Sequence, residues 1–127
     1  MSDPLRLAPL PAEPRALVLL LHGGAERGHR PVGGRSLALR RTRAMFAAVA
    51  PRFAEHGIGT AVLRFSVKGW NAGDGIPSPV PDAREAIARL HSDHPTVPLY
   101  LLGHSMGART AARVADAPGV AGSHGAR

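Results

Sequence analysis

With 127 residues, 44% hydrophobic and 4% aromatic, the chain can form one small domain with a core of Ala, Val, Leu and Ile. It has no cysteine, which excludes a disulfide framework and thiolate metal sites, and no histidine has metal-ligand spacing with a carboxylate, so neither metal nor cofactor is expected. The net charge of +7 would suit an anionic partner, but the positive residues are arginine save Lys68, amid abundant Ala, Gly and Pro. That composition reads as coding bias, and no nucleic-acid partner is expected. Met1–Arg6 lacks a basic segment followed by an apolar one, and no apolar run is long enough to span a bilayer, so a cytoplasmic chain without a membrane partner is expected.

In chain order, residues 1–14 hold Pro4, Pro9, Pro11 and Pro14 and predict an extended arm. Residues 16–21 are a continuous apolar run, as in a parallel strand buried on both faces. A loop rich in Gly and Arg over 22–35 leads to Ser36, a helix cap, and to Leu39, Met45, Phe46, Val49 and Phe53 at helical spacing. Pro51 is predicted to kink this helix and Gly57 to close it. A second strand is predicted over 60–65, then a loop over 66–81. Asp82 is predicted to cap a second helix in a capping box with Glu85, with Ala86, Ile87 and Leu90 on its buried face and Pro95 as its stop. A third strand is predicted over 99–102 and a third helix from Met106. Strands alternating with helices predict a parallel sheet with right-handed crossovers. The domain is placed at 15–116, and 117–127, poor in apolar residues, is predicted to be an irregular tail.

Two motifs carry chemistry. Gly103, His104, Ser105, Met106 and Gly107 form G-x-S-x-G between the apolar run 98–102 and the helix-prone stretch 108–115. There a serine is forced onto a sharp turn, its hydroxyl raised at the carboxyl end of a sheet, and the glycines let strand and helix pass closely. In a chain with 15 glycines the pentapeptide alone is a weak signal. The second motif is the strand over 17–21 ending in His22, Gly23 and Gly24. It puts small residues and free backbone N–H groups where an oxyanion hole needs them.

As an ordered pair, the motifs resemble the α/β-hydrolase superfamily over about Arg15 to Val114, in particular esterases, serine aminopeptidases and small dienelactone-hydrolase-like members. The resemblance implies the strand order second, first, third. Both motifs then meet at the switch point between the first and third strands, where open α/β sheets bind ligands. The expected fold class is α/β, a three-layer α/β sandwich with a parallel sheet, as an incomplete α/β-hydrolase fold.

For chemistry, the resemblance implies a serine hydrolase acting on a carboxylic ester or related acyl bond of a small-molecule substrate, with Ser105 as catalytic nucleophile. The N–H groups of Gly24 and Met106 are expected to form the oxyanion hole. Gly23, Trp70 and His104 are substrate-pocket candidates, Trp70 equally a loop anchor and His104 with its side chain across the turn from Ser105. His22 is expected to support its loop, while His29, His56, His91 and His94 read as solvated; Arg27, Arg30 and Arg35 read as a solvated basic loop, with binding of an anionic substrate group as the alternative.

After Ser105 the candidates for acid and base are Asp116 and His124. Asp116 lies eleven residues down the helix, roughly 16 Å away at about 1.5 Å per residue, too far to orient a histidine. His124 sits in a segment with little to bury. The chain therefore reads as the front half of the fold, truncated and weakly active or inactive. Its third strand is expected to be an open edge that invites self-association. The alternative is a non-catalytic binding or assembly module that retains the crevice, and a basic nucleic-acid binder is the third reading.

Overall fold

A computed structural model of the protein describes residues 3–24, 32–33, 36–67, 69–71 and 75–126. The elements are β1 (Leu5–Leu7), β2 (Ala16–Leu21), α1 (Leu37–Glu55), β3 (Ile58–Leu63), α2 (Pro79–Asp93), β4 (Leu99–His104), α3 (Met106–Val114) and β5 (Val120–Ala126). They form one sheet in the order β1-β3-β2-β4-β5, with β1 antiparallel to β3 and the other pairs parallel. The expected order of the three predicted strands is the observed β3-β2-β4.

Strand β2 is central, and its unbroken apolar run follows from having helices on both sides of it. Leu20, with Val62 of β3, packs on Phe46 and Ala50 of α1. Leu19 and Leu21 face the other way, into a cluster with Ala83, Ala86, Ile87 and Leu90 of α2 and Met106, Ala111 and Val114 of α3. The result is three layers around a mostly parallel sheet.

Local chemistry sets the helix ends. Ser36 has extended backbone, φ −60° and ψ 122°, and its side chain accepts from the Leu39 N–H at 3.4 Å, an ordinary N-cap. Helix α1 runs through Pro51 to Glu55. The carbonyl that Pro51 leaves unbonded belongs to Ala47, and both residues are on the exposed face, where water can satisfy it. Helix α2 starts before its predicted cap: Pro79 takes the first turn, where a missing N–H does no harm. Asp82 is instead drawn across to β3's exit, accepting from the Ser66 N–H and hydroxyl, each at 2.8 Å.

Both chain ends depart from expectation. The arm contains β1, where Leu5 is buried and Asp3 accepts from the Leu5 N–H at 2.9 Å while forming a two-pronged pair with Arg89. The predicted irregular tail contains β5, which pairs with β4 from Leu99↔Val120 to His104↔Ala126. Its low apolar content concealed it. Strand β5 needs small residues because α3 passes close by: a Cβ on Gly125 would lie 2.5 Å from the Ala108 Cβ. The β4 edge expected to be open is therefore covered, and the outer strands are β1 and β5.

A chain shortened to end at Pro118 should expose the β4 backbone row beside apolar Leu99 and Leu101. It is expected to unfold at lower denaturant concentration than the full chain and to self-associate in sedimentation velocity. An equally stable monomer would mean that β5 contributes nothing.

Candidate active site

The register of β2 on β4 sets Leu21 beside Gly103, so the residues after each strand emerge side by side at the carboxyl edge. Helix α3 then packs against that edge so tightly that two positions exclude a side chain. A Cβ on Gly107 would collide with the Leu21 carbonyl, and one on Gly103 with the Gly107 carbonyl. These contacts fix the turn between β4 and α3.

Ser105 occupies that turn with φ 55° and ψ −114°, one of the described non-glycine residues with positive φ. It precedes a helix as Ser36 does, but its side chain makes no cap hydrogen bond. Ser105 is exposed at the cleft. Its carbonyl still accepts the first helical bond, from the Arg109 N–H at 3.1 Å. Such a conformation costs roughly 1–3 kcal/mol and persists only where packing enforces it, as Gly103 and Gly107 do here.

Gly23, Gly24, His104 and Ser105 line one side of an open cleft of about 340 Å³, with Ala38, Arg41, Thr42 and Met45 of α1 opposite. Gly23 is buried against the turn: a Cβ there would sit 3.5 Å from the Ser105 Cβ and the His104 Nδ1. Gly24, the next residue, is exposed beside it. Met106 begins α3, so its N–H is among the helix's unpaired donors. Gly23 and Gly24 thus lie beside the serine at the positive end of a helix.

His22 is 1% exposed. The Phe65 N–H donates to its Nε2 at 3.0 Å, which leaves the proton on Nδ1, donated to the Gly23 carbonyl at 2.6 Å. The ring also packs on Phe65, centroids 4.7 Å apart. His22 therefore ties the end of β2 to the residues after β3 and holds Gly23 in place. Burial lowers its pKa, reinforced by the nearby positive charges of Arg43 and Arg64 and opposed by the hydrogen bond to Gly23.

The other predicted site residues divide. His104 lines the same cleft as Ser105. Trp70 is not in that cleft: it is 4% exposed, with the Arg109 guanidinium stacked 4.3 Å from its ring centroid and Arg113 at 5.9 Å. It anchors its loop to α3. Met45, expected in the core, is partly exposed at the cleft rim. His91, expected to be solvated, is half-buried, and a Cβ on Gly119 would lie 2.6 Å from its Nδ1. His29, Arg27, Arg30 and Arg35 lie outside the described residues.

Among the described residues no histidine or carboxylate is hydrogen-bonded to the Ser105 hydroxyl. Asp116 is 79% exposed beyond the end of α3, 3.5 Å from Arg84. His124 pairs with Leu102 on β5, three residues short of Ser105, and borders a groove with Val18, Phe53 and Tyr100 on the α1 side. No group of three or more potential ligands that could hold a metal ion occurs among the described residues. No described helix is long and apolar enough to cross a membrane.

The α/β-hydrolase fold family model matches residues 16–118, which covers both motifs and most of the sheet. The chain belongs to the α/β-hydrolase family. Among solved structures it is similar to a putative α/β hydrolase of unknown function from Agrobacterium tumefaciens, at 19% identity and TM-score 0.62, over 95% of this chain and 53% of that one. It is also similar to a thermostable carboxyl esterase from Bacillus coagulans, at 19% identity and TM-score 0.60, over 95% of this chain and 38% of that one. A lidless α/β serine hydrolase from Xanthomonas campestris matches at 24% identity and TM-score 0.55, over 87% of this chain and 50% of that one. At these identities the likeness is one of fold, and the chain spans about half the length of these structures or less. No curated protein matches.

Two consequences are measurable. Gly107→Ala should lower stability by about 3 kcal/mol or prevent folding, whereas Gly33→Ala, where an added Cβ meets nothing within 4 Å, should stay within about 0.5 kcal/mol. Urea unfolding checks both, and a small effect at Gly107 would contradict the close approach.

For His22, the unfolded ring titrates near 6.5 while the folded ring resists protonation. The unfolded state binds more protons, so stability is full above about pH 6.5 and falls as pH drops from there through the folded pKa. Asp3, held at a pKa of about 2 by Arg89 and the Leu5 N–H, acts only at lower pH, below its ordinary 3.8. Denaturation midpoints between pH 7.5 and 5 should decline, and His22→Gln, which can still accept from Phe65, should flatten that decline. An unchanged slope in the variant would remove His22 as the cause.

Proposed function

We propose that this chain carries the nucleophile of a serine hydrolase acting on a carboxylic ester or related acyl bond of a small molecule, with Ser105 as the attacking residue. The backbone of Ser105 carries this reading. Its positive φ sacrifices the usual capping bond and presents an uncommitted hydroxyl to a cleft flanked by backbone donors.

The Ser105 Oγ would attack the acyl carbon, passing its proton to a base as the carbon–oxygen bond forms. Negative charge gathers on the carbonyl oxygen, which the N–H groups of Met106 and Gly24 receive. Each such donor is typically worth about 10²–10³ in rate. Collapse of the tetrahedral species expels the alcohol, and water releases the acid from the acyl serine. Gly23 and His104 border the acyl group in the cleft, and His22 orients the glycine pair from behind.

The described residues supply attack and oxyanion stabilisation but no proton acceptor at Ser105. With solvent as the proton acceptor, attack by Ser105 on an activated ester is slow, and the backbone donors alone assist it. The purified chain is therefore expected to hydrolyse p-nitrophenyl butyrate slowly but measurably, with the excess over buffer lost in Ser105→Ala. Fast turnover lost in Ser105→Ala would reveal a base within the chain, with His124→Ala the first variant to examine. Turnover indifferent to Ser105→Ala would refute the assignment.

A further inference from the structure

Strand β4 alternates between a covered and a bare side. Leu99 and Leu101 are buried with α2 and α3, whereas on the α1 side Leu102 is half-buried and Tyr100 and His104 are exposed. Helix α1 lies over β3 and β2, so no described helix covers this face of β4 and β5. Between the flank of α1 and the bare face lies a groove of about 370 Å³, bordered by Phe53, Val18, Leu102, Tyr100 and Gly122. Among the described residues, none that lines it is an aspartate, glutamate, lysine or arginine.

The groove leads to the nucleophile. Along the same face of β4, His104 lines the Ser105 cleft while Leu102 and Tyr100 line the groove. From His104 to Tyr100 is about 13 Å at roughly 3.3 Å per strand residue. The facing helix spans the same distance. Met45 borders the cleft and Phe53 the groove, about 12 Å apart along α1, with half-buried Val49 between them. Cleft and groove are two ends of one trough, with Ser105 at one end and Tyr100 at the other.

We propose that this trough binds the aliphatic acyl chain of the substrate, so that the ester cleaved at Ser105 is that of a medium-chain fatty acid. The proposal rests on the hydrolase reading, which anchors the acyl carbon at Ser105 and leaves the chain to run along β4. An extended alkyl chain advances about 1.25 Å per carbon, from a C–C bond of about 1.5 Å, so about ten carbons span the trough. Its uncharged surface matches the side chains of Val18, Phe53, Tyr100 and Leu102, and the groove has the volume of a small-ligand site. Full burial of a methylene is worth about fourfold in affinity, and a trough open along one side gives roughly twofold.

Titrating the full Ser105→Ala chain with butyrate and decanoate tests the trough apart from turnover. Tyr100 is the only tyrosine, so its ring signals in NMR spectra report on the far end. Decanoate is expected to shift them and to bind roughly 60-fold tighter than butyrate, which should leave them in place. Leu102→Gln and Tyr100→Gln should each cut that ratio at least about threefold by calorimetry. Tyr100 is exposed, so its variant carries the test should Leu102→Gln fail to fold. In the unmodified chain, kcat/KM for p-nitrophenyl octanoate should exceed that for the butyrate ester roughly 16-fold. Equal binding of the two acids, or no preference in kcat/KM, would overturn the proposal while Ser105-dependent turnover of the butyrate ester keeps the hydrolase reading. Turnover indifferent to Ser105→Ala would remove both. Tyr100 signals that move with chain concentration and not with decanoate would give this face to a second copy of the chain and overturn the proposal.

Discussion

The close passage of α3 over the ends of β2 and β4 is the constraint on which the rest of this structure depends. Gly107 sits against the Leu21 carbonyl and Gly103 against Gly107, so the chain reverses from strand to helix within one residue. That residue is Ser105, and no relaxed backbone conformation for a serine completes such a turn. The strain is thus held by packing, and Leu19, Leu21, Met106 and Ala111 in the same core cluster supply the burial that holds it. Loosening either glycine would remove the reason for the serine's conformation.

The sheet converts this local strain into a site. Strands β2 and β4 are far apart in sequence but adjacent in space, because β3 pairs on the other side of β2 and leaves a crossover between them. The pairing of Leu21 with Gly103 brings Gly23 against Ser105. His22 fixes that approach through two hydrogen bonds, one to each flanking segment, and remains neutral to make both. With both ring nitrogens committed to backbone partners, His22 supports its neighbours rather than relaying protons.

Much of this was legible in the sequence where side chains report burial by their spacing. The apolar run of β2, the stripe of α1 and the G-x-S-x-G between strand and helix all placed their elements. Elements whose burden falls on the backbone escaped notice. Strand β5 holds Gly122 and Gly125, where Tyr100 and Ala108 of α3 leave little room for a side chain, beside polar Ser123 and His124, so it carries little apolar signal. Strand β1 is three residues long amid prolines, and one leucine buries it. Trp70 was ambiguous as a lone aromatic in a loop. Arg109 and Arg113, four residues apart on α3, offered the cation pair that claims it, a signal visible only when the two segments are considered together.

The central claim is that packing holds Ser105 in a strained backbone conformation to present its hydroxyl, not to cap a helix. Glycine relieves that strain, whereas at an ordinary cap it would lose a side-chain bond and slightly destabilise the helix. The most direct measurement is the urea-unfolding free energy of Ser105→Gly beside Ser105→Ala. The account predicts Ser105→Gly to be more stable than both the unmodified chain and Ser105→Ala, by about 1–2 kcal/mol. A Ser105→Gly chain less stable than the unmodified one would show an unstrained, capping serine and contradict the account.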